Sequence, residues 1–290
     1  MTTGQDVAGT STFSRLFDDA AIFPPGNASM RDAVAAHLAR RSRNAQEFVG
    51  PFVCSVPRLA ELRDELQQVG PATEPLHLCL TVPEGVHTLA AAQSEIAAEP
   101  RVVLRALEIA VGHEDAARAA EEVLAILPAA VEAYLEFPRS ADPRRTASAL
   151  VGTGLRLKFR TGGVEADAFP DERVLARAIR AAVEADVPFK LTAGLHHAIR
   201  HRDISSGRDF HGFLNVIIAV ASAQRGEPGE HISTVLAELQ APTLVEAFTQ
   251  LTVGERADVR DHFRSFGTCD ITEPLTDLVN LDLLPGGVVA

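Results

Sequence analysis

Tryptophan is absent from the 290 residues, tyrosine occurs once, and methionine and lysine occur twice each. Each scarcity excludes something. The cysteines are three, Cys54, Cys79 and Cys269, too few and too scattered for a disulfide framework or a structural zinc site. Their odd count and apolar neighbours fit reduced, buried thiols. No apolar run approaches the roughly 20 residues of a membrane-spanning helix. Met1 to Ser14 lacks the basic start and apolar centre of a secretory signal, so residues 1–14 are expected to fray and the cytoplasm is the expected compartment. Basic residues number 27 against 39 acidic ones, a formal net charge of −12. That balance argues against a nucleic-acid partner, because phosphates are held by massed Lys and Arg. No membrane partner is expected either.

The two lysines, Lys158 and Lys190, stand out against 25 arginines. A chain that uses Arg wherever a positive charge will serve keeps Lys at two positions. An amine can lose its proton and attack a carbonyl; a guanidinium cannot.

What is present is an alternation of short Val-, Leu- and Phe-rich stretches with Ala- and Glu-rich helical ones. Strands are expected at 20–23, 48–56, 76–82, 102–111, 131–137, 155–160, 188–193 and 262–269. Helices are expected at 30–43, 58–68, 86–98, 114–127, 171–185 and 275–284. Such alternation means parallel strands with crossover helices. Polar residues recur at the C-terminal ends of several strands, where a barrel places its active site. The expected fold is therefore α/β: a (β/α)8 TIM-type barrel, one domain over residues 1–290, with a long insertion between strands seven and eight at 195–261. That insertion holds an apolar helix at 210–223 and a break at 226–229. It is a lid, a contact between copies in a homo-oligomer, or a set of helices packed outside the barrel.

Period-two reading of Leu155 to Arg160 puts Arg156, Lys158 and Arg160 on one face and the apolar residues on the other. Three inward cations require anions to meet them. The same reading turns Lys190 and Thr192 inward on the neighbouring strand, so both lysines are expected to face one cavity. Two adjacent amines disfavour each other's protonation, so one pKa is expected to fall towards neutrality. Glu108 and Glu136, each flanked by apolar residues on a strand, are candidates for general acid/base work or for counter-ions to the lysines. Glu132 and Tyr134 share the parity of Glu136.

Two glycine-bearing ends follow the lysines, Thr161-Gly162-Gly163 and Gly194 after Thr192. Their backbone N–H groups can approach an anionic substrate, or the glycines serve the turns alone. His196, His197, His201 and His211 form the densest histidine group. His196 is a candidate acid/base; with His211 and Glu136 it is also a candidate metal ligand. In an extended segment, His196 and His197 point opposite ways. Asp18 and Asp19 precede the first expected strand and read as solvated residues at the barrel's bottom.

Lys158-Phe159-Arg160-Thr161-Gly162, Lys190-Leu191-Thr192-Ala193-Gly194 and Phe266-Gly267-Thr268-Cys269 resemble three motifs of the class I aldolases of the deoxyribose-phosphate aldolase type. The resemblance implies Lys158 as Schiff-base nucleophile, Lys190 as the group tuning it, Glu108 at the strand-four acid and Gly267 in a phosphate loop. The chain departs from that family in Arg160, which replaces a small residue and implies a more anionic substrate, and in the insertion at 195–261. The resulting expectation is a lyase on a small anionic carbonyl compound. It needs no cofactor and no metal. Its catalytic group comprises Lys158, Lys190, Glu108, Glu136 and His196, and its substrate contacts are Arg160, Thr161, Gly162, Gly163, Thr192, Gly194 and Gly267. The alternatives are a metal-dependent hydrolase or isomerase using His196, His211 and Glu136, and a barrel that only binds.

Overall fold

The computed structural model describes residues 12–40, 44–69, 75–113, 115–163, 168–204 and 206–289. Its strands are β1 (Phe17–Asp19), β2 (Val49–Ser55), β3 (Leu76–Val82), β4 (Val102–Ala110), β5 (Glu132–Glu136), β6 (Arg156–Arg160), β7 (Phe189–Thr192), a short antiparallel pair β8 (His201–Arg202) and β9 (Asp209–Phe210), and β10 (Phe263–Thr268). All but the short pair are parallel and close into a barrel in the order β1-β10-β7-β6-β5-β4-β3-β2. The protein is a (β/α)8 barrel. Helices follow the strands: α1 (Met30–Arg40), α2 (Leu59–Gln68), α3 (Leu89–Ala97), α4 (Ala116–Leu124), α5 (Pro143–Leu150) and α6 (Glu172–Glu184). Leu155 and Leu157 are buried under these helices while the opposite side of β6 turns inward, as period-two packing requires.

One helix was not foreseen. α5 begins at Asp142, whose side chain accepts a hydrogen bond from Arg144 N, with Pro143 in the first turn. Asp as N-cap followed by Pro is a start signal; the eight-residue span of α5 is too short for the apolar periodicity to register.

The segment 195–261 holds a packed set of helices and a short strand pair. α7 (Phe213–Gln224) is buried on every side from Phe213 to Ala223, which explains its run of apolar residues. It is covered by α6, α8 (Gly229–Ala237), α9 (Ala241–Gln250) and α10 (Val253–His262). Phe213 also seats against Phe17 and Phe266 of the barrel, with ring centroids at 5.6 and 5.4 Å. The β8–β9 pair lies instead at the mouth, where His201, Arg208 and Phe210 line the cavity described below. α11 (Thr272–Asn280) closes the ring. At the other terminus, residues 1–11 of the stretch expected to fray lie outside the described residues; Phe13 is fully buried and stacks on Phe248 at 5.3 Å.

The first strand is a correction. It comprises Phe17–Asp19, and Ala20–Phe23 follows it as a turn. Asp18 and Asp19 are accordingly strand residues, 2% and 0% exposed rather than solvated. Each has a partner from afar. Asp18 meets Lys190, and Asp19 meets His37 and Arg40 of α1, both at 3.0 Å. The bulged register between β1 and β2 brings Gly50 against Asp18. A Cβ at Gly50 would overlap Asp18 Oδ1 and lie 3.3 Å from its Cα. Gly50→Ala should therefore cost about 1–3 kcal/mol of stability, read as a lower urea midpoint; an unchanged midpoint would show that the strand can shift to admit the methyl group.

A lysine–carboxylate relay through the barrel core

The inner face of β6 carries its three cations in a column, and each meets an anion from β5 or β4. Arg156 pairs with Glu132. Lys158 Nζ lies 2.6 Å from Glu108 Oε2 and 2.8 Å from Glu136 Oε2. Arg160 Nε donates to Glu136 Oε1 at 2.8 Å. The β6–β7 register sets Lys158 beside Lys190, and Lys190 Nζ lies 2.5 Å from the other oxygen of Glu108, Oε1. Glu108 thus bridges the two lysines. Lys190 continues the chain to Asp18, which also accepts from Ser265 Oγ at 2.8 Å. Cys79 Sγ donates to Glu108 Oε1 at 3.3 Å, and the Tyr134 ring lies 5.4 Å from Lys190 Nζ. Charged groups this deeply buried persist only when paired in this way.

The electrostatics reverse one expectation. Burial opposes the charge on both lysines, but the carboxylates outweigh it. Glu108 and Glu136 hold Lys158 above its ordinary pKa, and Asp18 and Glu108 hold Lys190 well above. Neither amine falls towards neutrality, because carboxylates lie between them where the sequence argument had amine facing amine. Burial likewise opposes ionisation of Glu108, yet its two ammonium partners pull its carboxyl well below the usual range. Burial raises the Asp18 carboxyl above its ordinary value, against the pull of Lys190.

The lysines also do not share a cavity. Lys158 lines a cavity of about 1050 Å³ at the C-terminal ends of the strands, with Glu108, Glu136, Arg160, Thr192 and His196. Lys190 lines a second cavity, of about 460 Å³, with residues from the N-terminal ends of the strands. Period two fixes whether a side chain points in or out, but not which way it leans along the barrel axis.

The glycine turns divide. Gly163, Gly194 and Gly267 line the mouth, whereas Thr161 and Gly162 lie behind it. Thr161 Oγ1 donates to the carbonyls of Thr192 and Ala193. Gly162 and Gly194 are mutually required by packing. A Cβ on Gly162 would sit 2.9 Å from Gly194 Cα, and one on Gly194, whose φ is +85°, would sit 2.7 Å from Thr161 O. For this pair the backbone explanation suffices.

His196 and His197 do not point opposite ways, because their segment turns instead of extending. Both ring Nδ1 atoms meet acids one turn apart on or beside α11, Glu273 at 2.8 Å and Asp277 at 3.1 Å. Burial works against a charge on His196, but Cys269 and Glu273 outweigh it and raise its pKa to about 9. Its ring is therefore protonated at neutral pH. Asp277 is the main cause of a raised pKa at His197. His211 is not part of this group. It is buried beneath the mouth, with Nε2 at 2.9 Å from Pro170 O and Nδ1 at 3.3 Å from Arg200, and burial lowers its pKa. The trio His196, His211 and Glu136 is thus not brought together, and Glu136 is held by two cations. Among the described residues, no three His, Cys, Asp or Glu side chains stand in a metal-holding arrangement.

Sequence reasoning did not find Asp18, Cys79, Ser265, Glu273 or Asp277. The four-residue spacing of Glu273 and Asp277 places them on one helix face, a signal that was present.

Fold and site together define a (β/α)8 barrel with a polar mouth whose deepest cation is a lysine. No family model matches the chain, and no curated protein matches it. Among solved structures it is similar to a chain from Toxoplasma gondii ME49 assigned as a deoxyribose-phosphate aldolase, with 13% identity, 96% of this chain and 95% of that chain covered, and a TM-score of 0.42. No helix among the described residues is long and apolar enough to cross a membrane.

Proposed function

We propose that the chain is a lyase of the class I aldolase type, acting on a small anionic carbonyl compound through a Schiff base on Lys158. One observation carries the reading: at the mouth Lys158 meets a carboxylate pair, Arg160 meets the other oxygen of Glu136, and a protonated histidine lines the same cavity. The substrate's carboxylate or phosphate pairs with Arg160, which is the most exposed of the three β6 cations and lines the mouth with Lys158. Drawing Arg160 away leaves Glu136 free to accept a proton from the Lys158 ammonium. The resulting amine attacks the carbonyl carbon, and the carbinolamine hydroxyl leaves as water with a proton from His196. The now neutral His196 takes the proton of the β-hydroxyl, and cleavage of the adjacent C–C bond sends its electron pair into the protonated imine, giving an enamine and releasing a carbonyl fragment. Protonation at carbon and addition of water then return the free amine. Lys190 takes no part in bond making; it fixes Glu108 from behind. The cytoplasm is the compartment that suits such an enzyme with reduced thiols.

The test is reductive trapping. Incubation with pyruvate or glyoxylate and cyanoborohydride should add one adduct by intact mass, mapped to Lys158 and absent from Lys158→Arg. An unmodified wild-type chain, or equal modification of Lys158→Arg, would refute the proposal.

A second reading has its own support, since each inward cation of β6 and β7 already has a carboxylate partner. In it the barrel binds anions without chemistry, and carboxylates still bind to Lys158→Arg while no adduct forms on any variant.

A further inference from the structure

The N-terminal end of a (β/α)8 barrel ordinarily serves stability, with the chemistry at the other end. Here that end holds the second cavity, of about 460 Å³, and its lining is unusual for a chain of net charge −12. Arg15, Arg105, Arg260 and Arg264 converge on it, with Lys190 at its inner wall. The carboxylates on the same lining are Asp18 and Glu132; Glu132 is fully engaged, and Asp18 is engaged through Oδ2 while its Oδ1 has no hydrogen-bond partner among the described residues. Asp18 Oδ2 is taken by Lys190 and Ser265. Glu132 is taken by Arg156 and by Tyr134 Oη at 2.7 Å, with Arg264 only at 3.9 Å.

Arg260 is the most telling of these cations. Its guanidinium donates to two backbone carbonyls, Phe263 O at 2.7 Å and Ser14 O at 3.1 Å, and the carboxylates of Asp18 and Asp261 act on it only through longer-range attraction. Burial and the neighbouring Arg264 together push its pKa down to about 10, the sign of a cation short of counter-charge. Arg264 Nη1 in turn donates to the backbone carbonyl of Arg260 at 3.3 Å and lies 3.7 Å from Asp261, and both arginines line the cavity. Paired guanidinium groups suit the planar, multidentate recognition of oxyanions.

We infer that this cavity is a binding site for a small oxyanion of the phosphate or phosphate-monoester class, held by Arg260 and Arg264 with Arg105 at the rim. The site is separate from the mouth, and its occupancy does not depend on Schiff-base chemistry at Lys158. A compact tetrahedral dianion fits the available volume and supplies the counter-charge that Arg260 lacks. The free phosphate ion and the phosphoryl group of a small metabolite present the same chemistry, and comparing inorganic phosphate with glycerol phosphate separates them.

Calorimetric titration of the full chain with inorganic phosphate at low ionic strength tests the inference. Arg105 is exposed and Arg264 part-exposed, so Arg105→Gln and Arg264→Gln should fold normally by circular dichroism. Each should weaken phosphate binding by about tenfold or more, the loss of a charge-assisted contact. Arg118→Gln, on the exposed face of α4 and on neither cavity wall, should bind phosphate like the parent. Absence of binding at millimolar phosphate overturns the inference, as does a binding constant unaltered by both Arg105→Gln and Arg264→Gln. Tighter binding of glycerol phosphate than of phosphate identifies a metabolite ligand; equal or weaker binding identifies the free ion.

Discussion

Glu108→Gln should be the most destabilising single substitution in the barrel core, lowering stability by about 3–5 kcal/mol at neutral pH. The replacement keeps the shape of the side chain, so its effect is electrostatic. Glu108 is 3% exposed, and its two oxygens meet Lys158 at 2.6 Å and Lys190 at 2.5 Å. Without that charge two buried ammonium groups lose their shared counter-ion, Lys158 keeping Glu136 and Lys190 keeping Asp18. The folded carboxyl of Glu108 lies well below its unfolded value of 4.5. Its contribution is therefore complete above pH 4.5 and fades as the pH falls through the lower folded value. Urea unfolding at pH 7 should show the full gap between parent and variant, and the gap should narrow in strong acid. Identical midpoints at pH 7 would mean that the remaining carboxylates suffice and that Glu108 is not the keystone of the relay.

That relay was legible in part. Alternation along Leu155 to Arg160 gave the inward column of cations, and the requirement for buried charge to be met by anions pointed to Glu108 and Glu136 on the neighbouring strands. Asp18 was not legible. It sits in a three-residue strand with two acids, which reads locally as a solvated loop, and its partner Lys190 lies 172 residues away. Nor did the sequence indicate that Lys190 leans towards the N-terminal end while Lys158 faces the mouth. That difference depends on which carboxylate reaches each amine, a consequence of barrel closure between β1 and β10. The helix at 213–224 was found near its true limits because continuous apolarity over that length needs no partner to be recognised. Glu273 and Asp277 sit on a helix that was foreseen, but their histidine partners approach through a turn that no periodicity describes.

The pH profile of Lys158 modification separates a poised nucleophile from a core cation, and it should be steep. The pKa of Lys158 is raised above 10.5, so the free amine is a small fraction at pH 7 and grows about tenfold per pH unit. Trapping of glyoxylate should accelerate accordingly from pH 7 to 9. Near pH 9 His196 loses its proton, the acid that expels water disappears, and the slope should flatten; His196→Gln should be slower at pH 7 and lack the bend. A rate that levels off below pH 8 would mean a depressed amine pKa and would contradict the ion-paired account. Stability has the corresponding sign. The contribution of Lys158 and Lys190 is complete below pH 10.5 and is lost only as the pH rises through their higher folded values. The steepness also bears on substrate choice. A neutral aldehyde leaves Arg160 on Glu136 and Lys158 locked as an ammonium, whereas an anionic carbonyl compound competes for Arg160 and frees Glu136 to take the proton. Glyoxylate should therefore be trapped faster than acetaldehyde at pH 7 by a margin beyond their intrinsic reactivities, and Arg160→Gln should remove that margin while leaving Lys158 reactive.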